Sequence, residues 1–221
     1  MAHPEQREFL TSCFNRFQVA IDRSIHILEV GSQDINGSVR DYFPSPSRRS
    51  WIGLDIGPGK SVDFTIPGEL VQLGNGWADI SISTECFEHA RDWKKILLNM
   101  IRLTKVEGLI LLTMAGTGRA AHGTIDTEIR SSPYTSHYYK NISLEELLEG
   151  GELNKYFSRF ALEVNHQAGD TYFWGIRNSV LSGTETGTPE ESLARARGQL
   201  NMVMTENQRL RNEINRLRQN N

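Results

Sequence analysis

Leu28-Glu29-Val30-Gly31-Ser32-Gln33-Asp34-Ile35-Asn36-Gly37 joins an apolar run to a glycine-containing turn, and Asp55 ends a second apolar run 24 residues beyond Gly31. This is the spacing of a nucleotide-type site. Ligands of open α/β sheets bind outside the carboxyl ends of the strands, where strand order reverses. A glycine there lets backbone approach the ligand. A carboxylate at the end of the second strand accepts the hydrogens of both ribose hydroxyls. A dinucleotide needs further glycines, so that amides cradle its pyrophosphate. Gln33 and Asn36 stand in their places, and Asp34 adds a charge that repels phosphate. A ligand with a ribose, a cationic centre and an amino-acid tail suits this loop better.

Proton chemistry is open to three histidines expected near the same edge. His89 follows a later apolar run, His122 lies in Gly118-Arg119-Ala120-Ala121-His122-Gly123, and His137 precedes Tyr138-Tyr139. Histidine titrates near working pH and is the usual general base. His122 and His89 are the catalytic candidates, with a structural hydrogen bond as the alternative for each. His3, His26 and His166 read as incidental. Tyr134, Tyr138, Tyr139 and Trp174 suit either the floor of an acceptor pocket or ordinary core. Asp126 and Glu128 could join Glu85 on a divalent cation, but their spacing gives no support, and no metal site is assigned. Cys86 carries no signal of a nucleophile, and burial is expected.

The elements that must position these residues follow from periodicity. Leu10, Phe14, Phe17 and Ile21 recur at helical spacing after Pro4. Strands are predicted over Ile25–Val30, Trp51–Asp55, Ser61–Thr65, Ala78–Ser83 and Leu109–Met114. Ser38–Phe43 reads as a short helix stopped by Pro44. Trp93, Ile96, Leu97, Met100 and Leu103 share one face of a helix over Asp92–Thr104. Ala115–Asn141 reads as a functional loop or lid. Ser143-Leu144-Glu145-Glu146 is a capping box opening another helix. Phe160–Asn165 and Thr171–Ile176 form a closing hairpin around Gly169-Asp170. Alternating strands and helices predict an α/β fold. It is a three-layer Rossmann-like sandwich with a mostly parallel seven-stranded sheet and a C-terminal antiparallel hairpin.

That domain is expected over residues 1–181. Ser182-Gly183-Thr184-Glu185-Thr186-Gly187 begins a linker over 182–188, and 189–221 reads as a coiled-coil helix. Thr188-Pro189-Glu190-Glu191 caps it. Leu193, Leu200, Asn207 and Ile214 fall at one heptad core position, and Ala196, Val203, Leu210 and Leu217 at the other. In a parallel pair Glu206 faces Arg211 and Glu213 faces Arg218, which favours a homodimer through residues 189–219. A different coiled-coil partner, an antiparallel pair, or a helix folded back on the domain are the alternatives.

Composition narrows the function classes. Among 221 residues, 24 Lys+Arg against 27 Asp+Glu leave a net charge of -3, without the basic excess expected for nucleic acid. Two cysteines, Cys13 and Cys86, cannot build a disulfide framework, which fits a reducing cytoplasm. The polar start has no signal-peptide pattern, and the apolar run Leu109–Ala115 is too short to span a membrane.

Four segments in order resemble class I S-adenosyl-L-methionine (SAM)-dependent methyltransferases, in the group with a type 11 methyltransferase domain, over about residues 25–115. They are Leu28-Glu29-Val30-Gly31, Gly53-Leu54-Asp55-Ile56, the stretch from Ala78 to Glu88-His89, and the stretch from Leu103 to Leu111. Gln33 replaces the family's second glycine, and Val106-Glu107 its Pro-Gly turn. The resemblance implies that Glu29 orders the loop, and that Gly31, Ser32, Gln33 and Asn36 surround the methionine part. It places Asp55 at the ribose, with Ile56 among the cofactor-binding residues, Asp63 or Phe64 near the adenine, and the Thr84-Glu85-Cys86 segment beside the sulfonium. It implies methyl transfer to a small-molecule or saccharide hydroxyl. The stretch after Ser83 lacks the Asp/Asn-Pro-Pro-aromatic pattern of amino-type base methyltransferases. The segments Thr117–Thr124 and Tyr138–Asn141 are similar to methyltransferases of bacterial surface-polysaccharide assembly. A non-catalytic module serving as a coiled-coil scaffold is the alternative.

Overall fold

The structure, a computed structural model, describes residues 4–17, 25–43 and 49–180. The linker and heptad helix, and Ile21 of the first helix, lie outside the described residues. Seven strands form one sheet: β1 (Ile25–Val30), β2 (Arg49–Asp55), β3 (Phe64–Thr65), β4 (Ala78–Thr84), β5 (Thr104–Ala115), β6 (Phe157–Asn165) and β7 (Asp170–Arg177). Their order is β3-β2-β1-β4-β5-β7-β6. The first five are parallel; β7 runs antiparallel to β5 and to β6. The order reverses between β1 and β4, which is where such sheets bind ligands.

Strand alternation sorts the core into two layers. Ile25 and Ile27 of β1, Ile80 and Ile82 of β4, and Leu109 and Leu111 of β5 pack with Phe9, Leu10, Cys13 and Phe14 of α1 (Pro4–Arg16). Leu28 and Val30, with Ile110, Leu112 and Met114, face the opposite layer, led by α2 (Trp93–Leu103). α3 (Leu144–Gly150) and α4 (Leu153–Tyr156) close that layer. Strands buried on both faces explain the unbroken apolar runs. No helix of the described residues is long and apolar enough to cross a membrane.

The differences from expectation are local. β5 starts at Thr104, five residues before the expected Leu109, because the Thr104–Gly108 segment pairs onward through an irregularity in register with β4. Ser38–Phe43 gives only a 3-10 turn at Val39–Asp41, with Ser38 accepting from the Arg40 amide. Trp174 belongs to the α1 layer, stacked beside Phe17 and under Arg16, and takes no part in a pocket floor. Tyr156 and Phe157, in contrast, build an unanticipated short helix and strand start.

Candidate cofactor and acceptor cavity

The first turn after β1 is fixed by a glycine that no other residue can replace cheaply. Gly31 has φ +76, and a Cβ there would fall 2.6 Å from the Cβ of Cys86. The amides of Gly31 and Ser32 both donate to Leu54 O, at 2.9 and 3.0 Å, so the turn is sewn to β2. Asp55, at the end of β2, accepts from the Gln33 amide (3.2 Å) and the Gly57 amide (3.1 Å). Burial raises its pKa above the ordinary aspartate value, against the pull of the backbone amides it accepts from.

Beneath this turn lies a buried carboxylate. Glu29 is 3% exposed and accepts from Trp51 Nε1 at 2.8 Å and Arg40 Nε at 3.4 Å. Desolvation pushes its pKa up to about 7, against the pull of Trp51 and Arg40. Arg40 also donates to Ser61 O and to Asp63 Oδ2 (2.8 Å), and Asp63 accepts the Gly53 amide at 2.7 Å. Asp63, expected near a ligand, is thus spent on holding the β2–β3 turn and does not line the cavity.

A cavity of about 340 Å³ opens at the β1–β4 switch. Glu29, Gly31, Ser32, Gln33, Asn36, Asp55, Ile56, Thr84 and Glu85, all expected from the sequence, line it. So do Gln6, Glu69 and Asp92, which the sequence reading missed. Gln6 had a signal: it is a polar residue on the α1 stripe that Phe9, Leu10 and Cys13 continue. Its amide donates to Thr113 Oγ1 at 2.8 Å. Glu85 takes φ +50 just after β4, and its carboxylate meets Thr113 Oγ1 (3.2 Å) and Arg119 (3.4 Å). Arg119 is anchored in turn on Asp170.

Within the 116–141 loop, residues 131–135, His137 and Tyr138 line the cavity. The Ile142 amide donates to Ala115 O at 2.9 Å, drawing the two ends of the loop together. The ring of Tyr134 lies flush on Gly57, with no room for a Cβ there, and its hydroxyl reaches Pro58 O at 3.4 Å. His137 and Tyr138 line the cavity, and Arg91 stacks on Tyr138 at 4.7 Å. Asp126 and Glu128 do not.

His89 lines the cavity; His122 stands behind it, outside the lining. Their ring centroids are 5.2 Å apart, and Tyr139 packs at 5.3 and 5.0 Å from them. Desolvation pushes the His89 pKa down to about 4, with His122 adding to it. The His122 pKa is lowered too, first by desolvation, so both imidazoles are neutral at pH 7. Cys86, expected to be buried, is half-buried and lines the cavity; desolvation of its thiol raises its pKa, which leaves it unsuited to attack.

No family model matches the chain, and no curated protein does so. Solved structures do. The CurJ carbon methyltransferase superposes with TM-score 0.56 at 16% identity, covering 78% of this chain and 53% of that one. Phosphoethanolamine N-methyltransferase 2 of Haemonchus contortus, in complex with SAM, gives 0.56 at 13%, covering 80% and 53%. The chain therefore spans about half the length of these two proteins. The [4+2]-cyclase SpnF gives 0.53 at 10%, covering 78% and 81%. The seven-stranded order, the switch-point cavity and these superpositions together give the chain the fold of class I methyltransferases, one that also carries a cyclase.

Proposed function

We propose that the chain binds SAM in the switch-point cavity and transfers its methyl group to a hydroxyl of a saccharide or other small molecule. The observation that carries this reading is the acidity of the cavity. Asp55, Glu69 and Asp92 line it as carboxylates, beside Glu29, held near half-ionised at pH 7, and Glu85, paired with Arg119; Arg91 is the single Lys or Arg on the lining among the described residues. A pyrophosphate would be repelled there, whereas a sulfonium with a ribose on Asp55 is favoured. The reaction is an in-line displacement. The acceptor oxygen bonds to the methyl carbon as the C–S electron pair returns to sulfur, and the hydroxyl proton passes to solvent water. Catalysis then rests on alignment and exclusion of water, for which the 116–141 loop is placed. The His89 side of the cavity is the acceptor side. The aromatic faces of Tyr134 and Tyr138 on the lining suit a sugar ring. A place in surface-polysaccharide assembly rests on the loop resemblance alone.

Calorimetric titration with SAM, against NAD as comparator, tests this. Saturable SAM binding weakened about tenfold or more in Asp55→Asn is expected, since a hydrogen bond to a charged group is worth about 1.5–3 kcal/mol. NAD binding in preference to SAM, or no binding by folded protein, would sink the reading. The heptad tail would then lead as a scaffold. With SAM bound, a panel of hydroxyl acceptors scored by release of S-adenosylhomocysteine distinguishes O-methylation from transfer to nitrogen or carbon.

A further inference from the structure

One carboxylate beside the cavity is buried without a hydrogen-bond partner. Glu88 sits in the 3-10 turn Phe87–His89 that follows β4, and it is fully buried. Neither of its carboxylate oxygens has a hydrogen-bond partner. An unpaired buried carboxylate costs several kcal/mol, so its charge must be neutralised by a proton or by a cation. Protonation alone answers poorly, because the new O–H finds no acceptor within hydrogen-bond distance: His122 Nε2 is 3.9 Å from Oε1.

The groups around Glu88 are those a cation would choose. His89 is buried, with Nδ1 lacking any hydrogen-bond partner. One ligand atom from each of Glu88, His89 and His122 lies within 4.8 Å of the other two. The loop is shaped to allow this. Gly123 takes φ +60, and a Cβ there would fall 2.6 Å from Ser132 Cβ and 3.0 Å from His89 Cε1, so a glycine lets the loop bearing His122 pack against His89. From the other side, the Lys140 amide donates to Glu88 O at 2.8 Å and locks the turn. Tyr139 packs against both imidazoles.

We propose that Glu88, His89 and His122 hold a divalent first-row transition-metal ion at the His89 side of the cavity. Two imidazoles and a carboxylate, with open positions, form a ligand set for zinc, manganese, iron or cobalt, and a poor one for calcium. His89 lines the cavity, which puts the proposed ion beside whatever occupies it. Resting on the methyltransferase reading, the ion ionises the acceptor hydroxyl: coordination lowers the hydroxyl pKa, its proton passes to solvent water, and the alkoxide oxygen attacks the methyl carbon. The imidazoles then act through the ion and do not take the proton themselves.

Cobalt(II) is the probe. Tag-free full-length protein is stripped with chelator and titrated with cobalt alone, read by visible ligand-field absorption and by calorimetry. One ion per chain is expected, with binding weakened tenfold or more in Glu88→Gln and in His122→Gln. The His122 side chain is partly exposed, so its variant tests the site even if the buried Glu88 variant misfolds. Asp55→Asn is expected to lose SAM affinity and keep cobalt. Cobalt binding without SAM binding sustains the metal site and defeats the methyltransferase reading. Absence of saturable cobalt binding by folded protein, or equal binding by both variants, overturns the metal site whatever SAM does.

Discussion

Glu29 shows how one residue couples the site to stability. Its pKa in the fold, about 7, lies above its ordinary value, so the fold binds its proton more tightly than the unfolded chain does. Stability contributed by this group is therefore full below the ordinary value near 4.5 and is lost as pH rises toward 7. Glu29→Gln has no such proton to lose. Relative to the native chain, the variant is expected to gain about 1–3 kcal/mol between pH 4 and pH 8. Parallel denaturant titrations at the two pH values check this, and a constant difference would refute it. Glu29 and Asp55 were legible because their strand-end positions follow from short apolar runs. Asp63 was misplaced because the decisive partner, Arg40, lies in a segment with no periodic pattern. Its guanidinium takes the Asp63 carboxylate away from the cavity. Glu88 stood in view beside His89, but its isolation is a matter of three-dimensional burial, which spacing does not encode.

Among the elements, the turn after β1 and the loop after β5 carry the site. Gly31→Ala places a side chain at φ +76 and against Cys86, so a loss of about 1–3 kcal/mol is expected in chemical denaturation. A change within 0.5 kcal/mol would mean that the loop bearing Cys86 yields freely. Tyr134→Ala removes the contact between lid and β2 turn while leaving the sheet intact. Several-fold faster dissociation of S-adenosylhomocysteine, seen in stopped-flow displacement with unchanged melting, is the expected outcome. The strands and α2 were legible because two-faced burial writes long apolar runs and a clean helical stripe. The edges of β5 and β6 were not. Strand pairing carried Thr104–Gly108 and Phe157–Arg159 into the sheet despite polar residues, a tertiary effect that overrides local pattern.

For the whole molecule, the sheet order puts the closing hairpin beside β5 and leaves β3 and β6 as its two edges. The described domain ends just past β7, and the heptad pattern of residues 189–219 follows outside it. From that pattern, full-length protein is expected to sediment as a dimer. A chain ending at residue 181 is expected to be a monomer with the same melting temperature. A dimeric short form would assign self-association to the domain, and a monomeric full-length chain would point to a different partner for the tail.

The paired neck at Ala115 and Ile142 has a consequence for divergence. Because the two ends of the loop already meet through a backbone hydrogen bond, the intervening residues form a cassette. Doubling its length costs only about 0.6 kcal/mol in closure entropy. Descendants of this sequence can exchange the cassette for another without re-registering a single strand. On the proposed function, new acceptors are then reached by insertion and deletion here, so long as Arg119 and Tyr134, which hold Glu85 and the Gly57 turn, are kept.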